Sequence, residues 1–333
     1  MRLDVEIGNP PYTINGKRAY QLFINLGMNL GTDFICLITP SGWINGQGND
    51  LDTIRDSVIH SRKLLALYIF NKSFQIFDNV AISGGVSYGL ISNKVKSDKT
   101  MVVNCKVTQD YLVDNTNKSF RDLIEHSYTD INGDKQYPII TDNIASSVVN
   151  KVKSQYTENL TDWSMMRLMQ PKNIFSVPTD FSGDTGDIKV YSSYARISYI
   201  DRDKIITGKN LIDKWKVVVG CLNPDRGGAD NRKHRATINI PKLLEPNSIC
   251  TDSYRVIGYF DTEEEANQFI SYIKTKFVRY LMAATLNVRR ISYTSMAFVP
   301  NDISIDTDEQ LYRKYKLTDD EINHIEELMG TMK

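Results

Sequence analysis

The stretch Leu3-Asp4-Val5-Glu6-Ile7-Gly8-Asn9-Pro10-Pro11-Tyr12 decides how the rest of the chain is read. Apolar and acidic residues alternate up to Ile7, as in a short strand, and two consecutive prolines then impose a rigid turn, because neither can continue a ladder or a helix interior. Outward from this turn, Leu22, Phe23, Leu26 and Leu30 recur at helical spacing and Gly31 supplies a stop. Phe34-Ile35-Cys36-Leu37-Ile38, ended by Thr39-Pro40-Ser41-Gly42, has the continuous apolar run of a buried parallel strand. After the glycine-bearing loop Asn45-Gly46-Gln47-Gly48-Asn49, Asp50 is expected to cap a helix reaching about His60. Two further strands are expected over 63–70 and 86–93, separated by a loop holding Phe74, Phe77 and Gly84-Gly85. The series predicts an α/β fold: part of a doubly wound, Rossmann-like sheet with an antiparallel edge. It has too few elements to complete such a domain.

Composition narrows the class. The 333 residues carry 40 Lys+Arg against 40 Asp+Glu, which excludes a uniformly basic nucleic-acid coat, and the 41% hydrophobic content is that of a globular protein. No segment approaches the roughly 18 apolar residues of a membrane span, and the N-terminus has no signal-peptide character. A cytoplasmic protein without membrane contact is expected. Cys36, Cys105, Cys221 and Cys250 form no C-x-x-C pair, and His60, His126, His234 and His324 are equally scattered. Neither a disulfide framework nor a metal centre is expected.

Beyond about residue 108 the periodicity becomes mixed and turns frequent, so a partial α/β domain is placed at 1–107 and a mixed α+β domain at 108–301, followed by an acidic helical cap at 302–333. Arg202, Lys204, Lys209, Lys214, Lys216, Arg226, Arg232, Lys233 and Arg235 face only Asp203, Asp213, Asp225 and Asp230 in the same window, whereas the residues from Asp306 onward are mainly acidic. Zero net charge hides a segregated pattern. Thr262, with Glu265 at the capping-box position, opens an amphipathic helix with Ala266, Phe269, Ile270, Ile273, Phe277 and Leu281 on one face; Thr318 is expected to cap another.

The chemistry concentrates at the first turn. Asn9 offers an amide side chain, Pro10 a carbonyl before a residue that lacks N–H, and Tyr12 an aromatic face. Two acceptors can hold the hydrogens of an exocyclic amine so that its lone pair points at an electrophile, while the ring stacks on the base.

The segment V-E-I-G-N-P-P-Y resembles the catalytic motif of the amino-methyltransferases that methylate adenine in DNA. The blocks F-I-C-L-I-T-P-S-G-W, F-D-N-V-A-I-S-G-G-V-S-Y-G-L-I, C-T-D-S-Y-R-V-I-G-Y-F-D-T-E-E-E-A-N and T-D-E-Q-L-Y-R-K-Y-K-L-T-D-D-E-I are similar, in this order, to the large methylases of type II restriction-modification systems. The resemblance implies that Asn9 and Pro10 accept from a flipped adenine amine, that Tyr12 stacks on the base, and that Phe77 is a second stacking ring, with Phe74 the alternative. It implies S-adenosylmethionine as methyl donor, no metal, and double-stranded DNA as partner. The 108–301 region then corresponds to a target-recognition domain, with Arg202, Lys204, Lys214, Lys216, Arg226, Arg232, Lys233, Arg235, Arg289 and Arg290 as candidate DNA-binding residues.

One departure stands against this. The family places a glycine-rich cofactor loop before N-P-P-Y, and only eight residues precede Asn9 here. Phe181-Ser182-Gly183-Asp184-Thr185-Gly186 precedes a strand instead of following one and is read as a turn. The cofactor site is therefore expected to be incomplete in this chain. Three explanations compete: a fragment, a split gene whose second chain supplies the cofactor-binding motifs, and a catalytically inactive DNA-binding or anti-restriction protein derived from such a methylase. Asp180, Asp187 and Lys189 only loosely match a nuclease motif, and cleavage is not expected.

Overall fold

The computed structural model describes residues 3–46, 49–70, 73, 76–77, 82, 84–104, 125–129, 138–157, 159–193, 196–225, 234–285 and 290–332. Two compact units are present, one built on Met1–Ser147 and one on Val148–Asp225, Arg232–Ala283 and Arg290–Lys333. The boundary expected near 108 falls outside the described residues.

In the first unit, β1 (Val5–Gly8), the hairpin β2 (Thr13–Ile14) and β3 (Lys17–Arg18), α1 (Tyr20–Asn29) and β4 (Phe34–Pro40) follow in turn. Then come α2 (Asn49–Arg55), a π-helical turn (Asp56–His60), β5 (Leu64–Phe70), β6 (Val86–Ser92), β7 (Thr100–Asn104) and β8 (Glu125–Thr129). Six of these strands form one sheet in the order β1-β4-β6-β5-β7-β8. β1 runs parallel to β4 and β5 parallel to β7, while β6 lies antiparallel between β4 and β5. The α/β reading stands, with one correction: the antiparallel strand β6 is internal. Ile91 of β6 joins the main core while Tyr88 packs in a second cluster on the other face, so burial on both sides seats β6 centrally.

Gly31, at φ +67°, ends α1 as expected: Thr32 N–H reaches Gly27 O and Gly31 N–H reaches Met28 O, the two bonds of a Schellman stop. Gly27 has a different task. A Cβ there would run into the Glu6 carboxylate and approach Ile35 Cδ1 to 2.9 Å, so its absence lets α1 lie close on the sheet. Asp50 sits inside the first turn of α2, which begins at Asn49, and is not its N-cap. Both crossover helices pack on one face, where Tyr20, Ile24, Leu51 and Ile54 meet Ile35, Leu37 and Leu67. The opposite face carries Ile38, Tyr68, Tyr88 and Met101, packed around Phe70, Val86 and Val103.

The unit division falls inside α3 (Asn143–Lys153); α4 (Leu160–Trp163) follows. The second unit has two three-stranded sheets. β9 (Ile188–Tyr191) pairs with β10 (Ile197–Ile200) and β13 (Ser248–Cys250). β11 (Trp215–Gly220) lies between β12 (Lys242–Leu244) and β14 (Tyr254–Phe260). They share a core of Ile188, Val190, Val218, Leu244, Ile249 and Val256. The Thr262–Glu265 capping box opens α5 (Glu263–Lys274). The single helix expected to reach Leu281 is broken at Thr275, whose ψ of 150° is extended and whose hydroxyl accepts from Val278 N–H to start α6 (Lys276–Thr285).

The acidic C-terminal segment forms α7 (Asp308–Lys314) and α8 (Asp319–Leu328), the latter capped by Thr318 and Glu321. It is more than a solvated cap. Leu311, Tyr315, Ile325 and Met329 are buried, Glu321 binds Lys151 Nζ at 2.6 Å, and Tyr312 donates to Glu326 at 2.8 Å.

Candidate functional site

β1, β4 and β5 share one direction, so Gly8, Pro40 and Phe70 end at the same margin of the sheet, with Val86 of β6 paired to both Pro40 and Phe70. Carboxyl-terminal margins of open α/β sheets are where such folds place ligand sites. The Asn9–Tyr12 turn emerges there.

Asn9 is exposed and its side chain makes no hydrogen bond among the described residues; no backbone N–H among them donates to the Pro10 carbonyl. Neither acceptor is engaged by a donor among the described residues. Pro10 is buried and anchors the turn. The Tyr12 carbonyl accepts Ala19 N–H at 3.0 Å, closing a loop around the β2–β3 hairpin. Asn15 and Gly16 turn that hairpin with φ of +50° and +73°, an Asn-Gly signal the sequence reading missed.

Tyr12 and Phe77 both pack against the cluster of Phe70, Val86 and Val103, on the face of the sheet opposite α1 and α2. Burial raises the Tyr12 hydroxyl above its ordinary range, and that hydroxyl has no hydrogen-bond partner among the described residues. Phe77 is placed by buried Ser73, whose carbonyl accepts Phe77 N–H at 2.9 Å and whose hydroxyl accepts Ile82 N–H at 2.8 Å. Phe74 lies outside the described residues. A cavity of ≈ 300 Å³ adjoins the turn, lined by Tyr12, Thr13, Arg18, Tyr20, Pro40, Gly42, Gly46 and Leu51. Asn45, next to the lining residue Gly46, is buried, and its amide exchanges two hydrogen bonds with the Ile139 backbone.

The described residues do not fit a cofactor cradle. The glycines of Phe181–Gly186 serve packing: a Cβ at Gly183 would strike Tyr199 O, and one at Gly186 would strike the Ile200 backbone, while Tyr199 N–H donates to Gly183 O at 2.8 Å. At Gly46 a Cβ would strike Gly42 O.

The expected DNA-binding residues scatter by role. Arg202 forks onto Asp213 at 2.9 and 2.6 Å and onto Asn247, Lys204 pairs with Asp201 at 2.8 Å, and Lys214 pairs with Asp261. Lys204 is exposed and Arg202 and Lys214 are partly exposed, and such surface pairs can open to phosphate at a cost of about 1 kcal/mol or less. Arg290 is exposed. Arg235 is half-buried with its Nε 3.8 Å from the Asp225 carboxylate. Arg226, Arg232, Lys233 and Arg289 lie outside the described residues.

Lys216 must be withdrawn from the set. It is fully buried on the central strand β11, and its ammonium donates to the carbonyls of Leu211, Ile212, Lys214 and Glu245 at 2.5–3.2 Å. No phosphate can reach it. Burial pulls its pKa down to about 8. Its Trp215-Lys216-Val217 context reads as an alternating surface strand, and the segment 211–214 that encloses the ammonium leaves no mark on that pattern.

Among the described residues no group of three or more His, Cys, Asp or Glu could hold a metal ion, and no helix is long and apolar enough to cross a membrane.

Comparison with known proteins bears on the first unit. Residues 1–77 match the sequence profile of the Eco57I restriction-modification methylase family. The chain is 29% identical over 111 residues to an uncharacterized adenine-specific methylase of Mycoplasma pneumoniae, a match that covers 31% of this chain and 26% of that protein. The methylase resemblance read from N-P-P-Y is thus borne out for the N-terminal segment. Among solved structures, the type IIG restriction endonuclease BpuSI aligns over 92% of this chain and 45% of its own at 11% identity and a TM-score of 0.33. A nuclease-deletion mutant of the Type ISP restriction-modification enzyme LlaGI, in complex with a DNA substrate mimic, aligns over 86% and 33% at 13% identity and 0.41. At such TM-scores the likeness carries no argument, and the fold rests on the sheet order itself. The chain spans less than half the length of each of these proteins.

Proposed function

We propose that this chain is the catalytic-motif and target-recognition portion of an adenine-specific DNA methyltransferase, acting on the exocyclic amine of an adenine flipped from the duplex. The observation that carries the reading is the unengaged pair of acceptors, Asn9 and the Pro10 carbonyl, at the carboxyl margin of the sheet beside a cluster against which Tyr12 and Phe77 both pack.

In this reading Asn9 Oδ1 and the Pro10 carbonyl accept the two amine hydrogens. That turns the nitrogen lone pair toward the incoming methyl group. Stacking on Tyr12 and Phe77, at roughly 1–3 kcal/mol per aromatic, offsets the few kcal/mol needed to extrude the base. Alignment is the main catalytic contribution of these residues, and full alignment of reactants is worth as much as about 7–11 kcal/mol. S-adenosylmethionine, the donor in this family, requires a cofactor-binding element that the described residues do not provide. A second polypeptide bringing that element fits the outer side of β1, which among the described strands is an edge strand paired with β4 and is flanked by exposed Val5, Ile7, Leu22, Leu26 and Leu30. The second unit, with Arg202, Lys204, Lys214, Arg235 and Arg290, is the proposed DNA-recognition part.

The test is transfer of a labelled methyl group from S-adenosylmethionine to mixed-sequence duplex DNA, by the chain alone and with the product of the adjacent upstream gene. Transfer that disappears in Asn9→Ala supports the reading. No transfer by folded protein in either arrangement overturns it, and DNA binding that survives Asn9→Ala without transfer favours the non-catalytic DNA-binding alternative.

A further inference from the structure

Among the described residues two arginines, Arg235 and Arg255, have a buried Nε with no hydrogen-bond partner, and of these Arg235 has the Asp225 carboxylate at 3.8 Å. Arg279, 1% exposed, donates to the carbonyls of Lys274, Ala236 and Gly330, and Lys216 donates to four carbonyls. Arg255 of β14, 8% exposed, forms no ion pair among the described residues, and its Nε has no hydrogen-bond partner. Its guanidinium carbon lies 5.2 Å from the centroid of the Tyr293 ring. A buried guanidinium left without a counter-charge is costly, and an unsatisfied one in a native fold calls for an explanation.

The surroundings supply it. Val219 pairs with Arg255 in the sheet, and two residues on, Cys221 is fixed by backbone bonds to Ser253 and Ile291. An isolated bridge between Leu222 and Arg290 brings that arginine to the same place. Burial pushes the Cys221 thiol up, while Arg255, Lys172 and Arg290 each pull it back, so all three cations lie within electrostatic reach of one sulfur. The opposing acid is Asp252, held by Lys172 at 3.5 Å and by the Thr179 hydroxyl. Three cations against one carboxylate leave a local excess of positive charge around a guanidinium whose plane is held by an aromatic face.

We infer that Arg255, stacked on Tyr293 and flanked by Lys172 and Arg290, is the seat of a backbone phosphate of the bound DNA. A planar fork of donors held against a ring suits a phosphate's paired oxygens, and the flanking cations suit its neighbours along the strand. The inference rests on the DNA-binding reading above and adds to it two residues, Arg255 and Lys172, that the charge pattern did not single out.

Binding of a labelled mixed-sequence duplex is to be measured by fluorescence anisotropy between about 50 and 200 mM salt. Arg255→Gln is expected to weaken binding about tenfold and to flatten the plot of log affinity against log salt by about one, while Arg255→Lys keeps the wild-type slope. Wild-type binding with an unchanged Arg255→Gln overturns the phosphate site and leaves the DNA reading intact. No binding by the wild type at low salt overturns the DNA reading and this site with it. If Arg255→Gln fails to fold, the wild type decides: alkylation of Cys221, followed by peptide mass spectrometry, slows several-fold with duplex present if the site is real, and an unchanged rate overturns it.

Discussion

Replacing Lys216 by Met removes a buried ammonium while nearly conserving side-chain volume. Two consequences oppose each other at neutral pH, since the desolvation penalty vanishes but four carbonyls lose their donor. The pH dependence of the difference is unambiguous. Burial lowers the amine's pKa to about 8 from the ordinary 10.5, so between those values the unfolded chain holds a proton that the native protein has released. Stability then rises with pH across that window, and the gap corresponds to about 3 kcal/mol at about 1.4 kcal/mol per tenfold in proton affinity. Below about pH 8 the ammonium is protonated in both states, and none of this gain is present. Cys250, whose thiol burial pushes up to about 12, works in the opposite direction above the ordinary thiol range, but it is common to both proteins and largely cancels in the difference. Urea unfolding of wild type and Lys216→Met, followed from pH 7 to 10.5, should show the wild type gaining about 3 kcal/mol on the variant. Parallel curves would refute the burial of a titrating amine at this position.

Two further changes test the first unit. Gly27→Ala should lower stability by about 1–3 kcal/mol in a thermal or denaturant melt, because the added carbon meets the Glu6 carboxylate and Ile35; an unchanged midpoint would mean that α1 sits farther from the sheet. Tyr12→Phe removes a buried hydroxyl that has no partner among the described residues and should stabilise by up to about 1 kcal/mol while retaining the stacking face, whereas destabilisation would reveal a hydrogen bond at that oxygen.

The sequence made much of this legible, and the failures have identifiable causes. Strands β4, β5 and β6 announced themselves because burial leaves a hydrophobic period that survives in a single chain; β1 alternates as well, although its apolar residues Val5 and Ile7 are the exposed ones. The boxes at Thr262 and Thr318 were readable because capping is local, needing only residues three apart. The central position of β6 was not, since pairing partners sixteen or more residues away leave no mark on the strand itself. Thr275 breaks a helix whose apolar face continues through Phe277 and Leu281, so periodicity saw one helix where extended backbone and the carboxylate of Asp308, which caps Lys276 and Phe277 from afar, make two. At the site, Asn9, Pro10 and Tyr12 were legible as a motif. Arg255 was not, because burial without a partner is a property of the fold.

The position of β6 has a consequence for how the sheet is made. β4 and β5 do not pair with each other; each meets β6, which the chain reaches only at Val86–Ser92. Until Ser92 has left the ribosome, neither ladder can be completed, and the nascent chain carries two apolar strands with unpaired rims. Closing them requires a strand to enter between two others, a non-local step of the kind that slows folding and prolongs exposure to aggregation. Synthesis paused before residue 92 should therefore yield a protease-sensitive chain, and synthesis continued past it a protected one.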